Sequence, residues 1–359
     1  MTDLFSLGWS AGFERSFEPY RLEGQQPARV IARLATRYRL LAADGDHEAV
    51  LSGKYLNRVN RGEEELPVVG DWVTVETRGD DAVIQVLLPR RTCFARKPAI
   101  SGGRKMKGGQ VTGGTTARQV LAANIDTVFI VSALDGNHSI ARTERYLTMA
   151  LASGAQPVLL MNKLDLCPDA TMVLEQLKRI GGGCPVHTMS AISGAGIVAV
   201  EQYLLPGKTV AFLGPSGVGK STLINRLFGA DKLATGVVND VTGKGRHTTT
   251  RAELLIHQNG AMLIDTPGIR ELQMWCDAEA VQDSFEDVAV LIARCRFSDC
   301  GHTNEPGCAV REAIASGRLD PARYRNYRKL DEETARLDAR KKQREIWLGR
   351  KEKGVRNKG

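Results

Sequence analysis

Residues 214–221 read Gly-Pro-Ser-Gly-Val-Gly-Lys-Ser, a G-x-x-x-x-G-K-[ST] arrangement that follows the apolar run TVAFL and precedes the helical run TLINRLFG. Residue types in this pattern bind phosphate. Gly214, Gly217 and Gly219 let the backbone turn its N–H groups toward an anion, and the helix N-terminus adds positive potential. Lys220 bridges the terminal phosphate oxygens, and Ser221 holds the Mg2+ that accompanies a nucleoside triphosphate. Pro215, Ser216 and Val218 fill the loop and Thr222 its first helical turn. An accidental Gly-rich turn with a Lys-Ser would require neither the strand before it nor the helix after it.

Two further motifs extend the chemistry. Asp265-Thr266-Pro267-Gly268 follows the run AMLI, where a carboxylate at a strand's carboxyl end can organise the Mg2+ water shell while the Gly268 N–H faces a γ-phosphate. Asn162-Lys163-Leu164-Asp165 ends the run PVLLM. There Asp165 can accept both guanine N1–H and N2–H2, which adenine does not offer, while Asn162 and the Lys163 stem hold the base. Alone, either tetrapeptide reads equally well as a turn or a helix start; beside a phosphate loop they read as a guanine-nucleotide site. Ser190-Ala191, after PVHTM, fits the remaining base-contacting loop.

The modules run in the order base, phosphate, switch, whereas ordinary GTPases begin with the phosphate loop. A circular permutation keeps the pocket and moves the chain ends. Between phosphate loop and D-T-P-G, Gly243 to Thr250 form a glycine-flexed loop in which Thr249 or Thr250 can close on Mg2+ and γ-phosphate. Ile269 stands where many GTPases carry a water-orienting Gln, so His247 becomes the candidate for that role, against the plainer reading of a solvated loop histidine.

A separate constellation lies downstream. Cys295-x4-Cys300-x-His302-x5-Cys308 supplies three thiolates and one imidazole, a closed tetrahedral set for one structural Zn2+ with no position left for catalysis. The rival readings are three buried cysteines beside a surface histidine, or a redox switch. The chain holds seven cysteines, an odd number, and its N-terminus lacks a secretory pattern, which points to a reducing, cytoplasmic compartment.

These groups need elements to position them. At 359 residues the chain has room for about two to three domains. Residues 28–97 read as short alternating strands of a small all-β barrel, 98–118 as a basic glycine-rich linker, and 119–275 as apolar strands separated by helical spacers, a largely parallel α/β sheet. Residues 276–359 read as helical with a basic tail, and residues 1–27 form an N-terminal extension without a usable pattern. No apolar run is long enough to span a membrane. The net charge of +8 is unevenly spread: residues 90–118 carry eight basic side chains and no acid, and residues 321–359 carry fourteen basic and six acidic ones. Two such segments on an otherwise acidic body suit a polyanion, although either alone could serve only as a solvated surface.

The permuted motifs, the HTTT loop, the cysteine-histidine knuckle and the N-terminal strands together resemble the ribosome small-subunit-dependent GTPase A (RsgA) family over roughly residues 28–330. That resemblance implies a multidomain chain with an N-terminal OB-fold, a central circularly permuted P-loop GTPase and a C-terminal zinc-binding helical domain. It further implies GTP hydrolysis during late maturation of the small ribosomal subunit, contact with that subunit and its rRNA, and action as a monomer. Two other readings stay open: an RNA-binding assembly factor that uses GTP mainly as a structural ligand, and a permuted GTPase with a non-ribosomal partner.

Overall fold

The structure is a computed structural model that describes residues 3–21, 23–34, 36–78, 81–96, 105–107, 110–112, 119–136, 138–167, 169–229, 252–265, 278–336 and 339. It divides into two compact units, one of residues 1–95, 120–138 and 153–272, the other of residues 96–119, 139–152 and 273–359.

The first unit starts with strands β1 (Gln26–Leu34), β2 (Arg37–Ala42), β3 (Gly45–Leu51), β4 (Trp72–Arg78) and β5 (Asp81–Leu87). They close into a barrel in the order β1-β2-β3-β5-β4-β1, with β3 and β5 parallel and the other pairs antiparallel. This is the OB-fold order that the resemblance implied. Alternate residues face inward, so Val30, Tyr38, Leu40, Val73, Val75 and Ile84 form its core, each 2% exposed or less. Helix α1 (Ala11–Arg21) precedes the barrel and α2 (Gly53–Asn60) bridges β3 and β4. The strand reading of residues 28–97 missed α2. The helix is capped by the Ser52 hydroxyl, which accepts from the Tyr55 N–H, and it buries Tyr55 as its anchor.

Residues 1–27 carry a pattern after all. A short 3-10 helix (Leu4–Leu7), capped by Asp3, leads into α1, and Trp9, Phe13 and Phe17 recur at helical spacing. They pack against Trp72 and Leu88 of the barrel, with Trp9 edge-on to Trp72 at 4.7 Å between ring centroids. Beneath them Arg29 of β1 is 1% exposed. Its guanidinium donates to the Leu7 carbonyl, to Asn124 O (3.2 Å), to Thr209 Oγ1 (2.8 Å) and to Met262 Sδ (3.2 Å), and lies over the Trp72 ring. Burial lowers its pKa to about 10, partly offset by Asp126 and Asp71.

Strand β6 (Cys93–Arg96) pairs with β9 (Gln119–Ala123), and β7 (Lys105–Lys107) with β8 (Gln110–Thr112). The remaining strands are β10 (Thr127–Ala133), β11 (Gln156–Asn162), β12 (Val186–Thr188), β13 (Thr209–Leu213), β14 (Glu253–Ile256) and β15 (Met262–Asp265). Their order is β12-β11-β10-β13-β15-β14, parallel except for β14. The chain thus fills one half of the sheet with β10–β12 before it lays down β13 at the centre, which is the expected permutation. Helices α3 (Ile140–Ala152), α4 (Thr171–Ile180), α5 (Val198–Glu201) and α6 (Lys220–Phe228) separate these strands in sequence. Phe129, Leu160, Phe212 and Leu263 of the sheet and Leu223 and Leu227 of α6 share one core. At the far side β14 pairs with β1 through Ala32 and Glu253, so barrel and sheet form one ladder.

In the second unit, α7 (Ala278–Ser284), α8 (Glu286–Ala293), α9 (Ala309–Ala315) and helical residues 321–336 accompany α3. Glu144 of α3 is 2% exposed, and its carboxylate accepts from Arg323 (2.7 Å) and Asn326 (2.6 Å). Burial raises its pKa and these donors pull it back. No helix among the described residues is long and apolar enough to cross a membrane.

Phe13→Ala removes the middle ring of the N-terminal cluster and should cost about 3–5 kcal/mol of unfolding free energy. Denaturant melts of the two proteins check this, and coincident curves would show that the segment contributes nothing to the core.

Candidate functional site

Every described piece of the nucleotide motifs lies at the carboxyl end of a parallel strand, the edge where open α/β sheets bind ligands. After β13 the loop turns through Gly214, Gly217 and Gly219, all at positive φ, and α6 begins at Lys220. Lys220 is 9% exposed, and its ammonium donates to the Gly214 and Pro215 carbonyls, each at 2.6 Å. Phosphate oxygens brought to this loop could replace these neutral acceptors with charged ones, which make stronger hydrogen bonds. Ser216, Ser221 and Thr222 lie exposed around the loop, while Val218 is buried beneath it.

Asn162 closes the other side. Its amide donates to the Val218 carbonyl (2.8 Å), and its side-chain oxygen accepts from the Ala191 N–H (2.9 Å). One buried side chain therefore ties the base loop to the phosphate loop and to Ser190-Ala191. The contact also explains Gly219, since a Cβ there would collide with the Asn162 amide nitrogen. Lys163 adopts a left-handed conformation at φ 65° that turns its side chain to Asp135, 2.7 Å away. Leu164 and Asp165 open a 3-10 turn, and the exposed Asp165 carboxylate accepts from the buried Ser190 hydroxyl. A carboxylate has about four acceptor positions, so Asp165 retains capacity for a donor pair such as guanine N1–H and N2–H2.

Asp135 was not singled out from sequence. Its place just beyond β10, at the same edge of the sheet as Asp265, is the signal that could have found it. Asp265 ends β15 opposite Glu253 of β14. His247, Thr249, Thr250 and Gly268 lie outside the described residues.

The second constellation comes together in the other unit. The ligand atoms of Cys295, Cys300, His302 and Cys308 lie within 4.8 Å of one another. His302 Nδ1 is 3.5 Å from both Cys295 Sγ and Cys308 Sγ, and those sulfurs are 4.0 Å apart. Zn–S bonds of about 2.3 Å and Zn–N bonds of about 2.0 Å would give tetrahedral edges of about 3.5–3.8 Å, so the donor set could hold zinc. Glu305 braces the knuckle by accepting the N–H groups of Gly301 (3.0 Å), Thr303 (2.8 Å) and Asn304 (3.0 Å). Backbone hydrogen bonds, its own N–H and that of Thr303 foremost, hold its pKa at about 2.

The basic segment expected to start at Arg90 is partly spent on the fold. Arg90 makes a bidentate pair with the fully buried Asp71, both bonds 2.8 Å, and also bonds Glu65. Arg91 faces Asp126 at 3.6 Å. Neither side chain is thus a simple solvated cation.

Comparison with known proteins places this arrangement. The family model described as RsgA GTPase matches residues 89–275. A protein of Opitutus terrae, "Small ribosomal subunit biogenesis GTPase RsgA", is 46% identical over 92% of this chain and 90% of its own length. The chain belongs to the RsgA GTPase family. A member from Methanosarcina acetivorans bearing the same description is 38% identical over 96% of this chain and 88% of its own. Among solved structures, YjeQ from Thermotoga maritima is 26% identical with a TM-score of 0.62, covering 87% of this chain and 99% of that one. YloQ, titled a circularly permuted GTPase, shares the fold with a TM-score of 0.58, 24% identity and 87% and 95% coverage. A second family model, described as 50S ribosome-binding GTPase, matches residues 209–344 and begins at β13, the strand that leads into the phosphate loop.

Two outcomes follow from this geometry. Gly219→Ala, strained by its φ of 92° and by Asn162, should abolish nucleotide binding in a fluorescent-nucleotide titration. Gly217→Ala, strained at φ 83° with no atom within 4 Å of the new Cβ, should lose less. Equal losses would remove the Asn162 contact from the explanation. Chelation of metal, or Cys308→Ser, should melt the knuckle, as followed by hydrogen exchange across residues 295–308, and unaltered protection in chelator would refute a structural metal.

Proposed function

We propose that this family member hydrolyses GTP during late maturation of the small ribosomal subunit, binding that subunit through its rRNA. The observation that carries the chemistry is Asn162, which joins a base-reading loop to a phosphate loop in one pocket. The partner rests on the relatives that match along nearly the whole chain and are named for small-subunit biogenesis. The large-subunit description belongs to a model that matches only from the phosphate-loop strand onward, and it sets no partner for the barrel.

In this reading the substrate is GTP with Mg2+. The loop N–H groups from Gly214 to Ser221 and the Lys220 ammonium hold the phosphates and neutralise the charge that develops on them. Ser221 and Asp265 orient the Mg2+ shell, and Asp165 selects guanine. Lys163, held by Asp135, packs its stem along the base. Thr249 or Thr250 and the Gly268 N–H contact the γ-phosphate, and His247 orients water. The knuckle of Cys295, Cys300, His302 and Cys308 holds one Zn2+ that fixes the C-terminal helices as a docking module. The barrel at 28–97 engages RNA on its β2–β3 face, the customary binding face of OB-folds, and the basic residues of 98–118 and the tail of 276–359 bind phosphates. The protein works in the cytoplasm as a monomer.

GTP turnover with and without purified small subunits tests the partner, and absence of stimulation would sink it. Repeating the assay at two salt concentrations tests the electrostatic part, since contacts to rRNA phosphates should weaken as salt rises. Asp165→Asn should relax the preference for guanine over other bases in competition binding, and an unchanged preference would count against its role.

A further inference from the structure

One row of residues crosses four antiparallel strands, passing β1 just beyond the bulge at Ile31. Arg39 of β2 lies opposite Ala32 of β1, Ala32 opposite Glu253 of β14, and Glu253 opposite Asp265 of β15. Directly opposed residues of an antiparallel ladder project to the same face, so all four side chains share one side of the sheet. Adjacent strands are about 4.8 Å apart. Ala32 contributes only a methyl group, so the long side chains of Arg39 and Glu253 face each other across it. At the other end of the row stand two carboxylates, a like-charged cross-strand pair that is unfavourable by itself.

The charges are held in place. Arg39 makes a bidentate pair with Asp46 of β3, its Nε and its terminal nitrogen lying 2.9 and 2.6 Å from one carboxylate oxygen. Arg37 and Glu48 form the neighbouring cross-strand pair at 2.8 Å. Glu253 is half-buried; burial raises its pKa first, Arg39 lowers it and Asp265 raises it. The fields of a barrel cation and of the switch carboxylate therefore meet on one side chain.

We propose that Glu253 is a positioning residue through which the charge of the barrel sets the Mg2+ dependence of nucleotide binding at Asp265. This rests on the reading of Asp265 as the carboxylate that organises the Mg2+ shell. Glu253 adds negative potential beside Asp265 and favours the divalent cation; Arg39 opposes this by drawing the Glu253 carboxylate across Ala32, away from Asp265. Because coupling is reciprocal, an anion that engages Arg39 on the β2–β3 face strengthens Mg2+-nucleotide binding, and Mg2+-nucleotide strengthens anion binding there.

The test is titration of a fluorescent GDP analogue into the full-length chain over a range of Mg2+ concentrations, which needs no turnover. Glu253→Gln should raise the Mg2+ needed for half-maximal nucleotide affinity by about three- to tenfold, as expected for partly screened charges at this range. Arg39→Gln should lower it by a smaller factor, about two- to threefold, because Arg39 lies about 14 Å from Asp265 across three strand spacings and acts through Glu253, and Arg39→Lys, which keeps the charge, should restore wild-type behaviour. In the double variant Glu253→Gln with Arg39→Gln, the effect of Arg39 should largely disappear. Thermal melts establish that each variant is folded. Should Arg39→Gln not fold, Asp46→Asn, which releases Arg39 toward Glu253, should raise the Mg2+ requirement instead. Wild-type Mg2+ dependence in Glu253→Gln and Arg39→Gln, or strictly additive effects in the double variant, would overturn the inference. A wild-type chain that binds no guanine nucleotide would instead overturn the GTPase reading on which it rests.

Discussion

The proposed nucleotide pocket depends on the two hydrogen bonds of the Asn162 side chain. Permutation separates the base-reading loop from the phosphate loop by most of the length of a small domain, and the chain connects them through α4, β12 and α5. No local propensity can align them. What aligns them is the sheet, which sets β11 two strands from β13, and then a buried amide that satisfies Val218 O and Ala191 N together. A buried amide that loses either partner leaves a polar group unsatisfied at a cost of about 1–3 kcal/mol, so the loops are held in mutual register. Gly219 is the counterpart of this contact, because the amide can come so close only where no side chain intervenes.

Much of this was legible in the sequence, for physical reasons. The phosphate loop, N-K-x-D and D-T-P-G advertise themselves because phosphate and guanine recognition require particular residue types at fixed spacing. The cysteine-histidine knuckle does so because tetrahedral coordination demands four soft or borderline donors within a short reach. The parallel strands were legible as continuous apolar runs, being buried on both faces. Helix α2 was not, because eight residues between two strands give too few turns to set a period. Residues 1–27 were passed over although Trp9, Phe13 and Phe17 repeat at helical spacing; Pro19 inside the helix, and the glycines Gly8 and Gly12 beside the first two aromatics, dilute the pattern. Asp135 and Glu253 could not be recognised alone, since their meaning comes from the strand beside them.

Charge counting was informative in sum and less so residue by residue. The +8 of residues 90–118 was read as one electrostatic footprint, but Arg90 neutralises the buried Asp71 and Arg91 faces Asp126. The fully buried Asp71 carboxylate requires a partner, and Arg90, nineteen residues further along the chain, supplies it. The part of the segment that can meet a polyanion therefore begins further along the chain. Likewise Arg37 and Arg39, on the outward face of β2, are matched by Glu48 and Asp46 on β3. That face presents alternating charge and is no uniform basic surface.

Arg29 has a consequence for how the chain is made. The partners of its guanidinium come from residues 7, 124, 209 and 262. The barrel can close as soon as residue 87 is available, because all of its strand pairs are internal to the first quarter of the chain. The cation on β1 then has to wait, hydrated, until more than a hundred further residues supply Thr209 and later Met262. At synthesis rates of about 5–20 residues per second, that interval lasts on the order of ten to thirty seconds. During it the Trp9–Phe13–Phe17 face can cover the barrel, but the join between barrel and sheet cannot be dehydrated. Among the described strands β14 and β15 emerge last; they complete the ladder that joins barrel and sheet and carry Asp265, so a chain acquires its seam and that carboxylate in the same closing step.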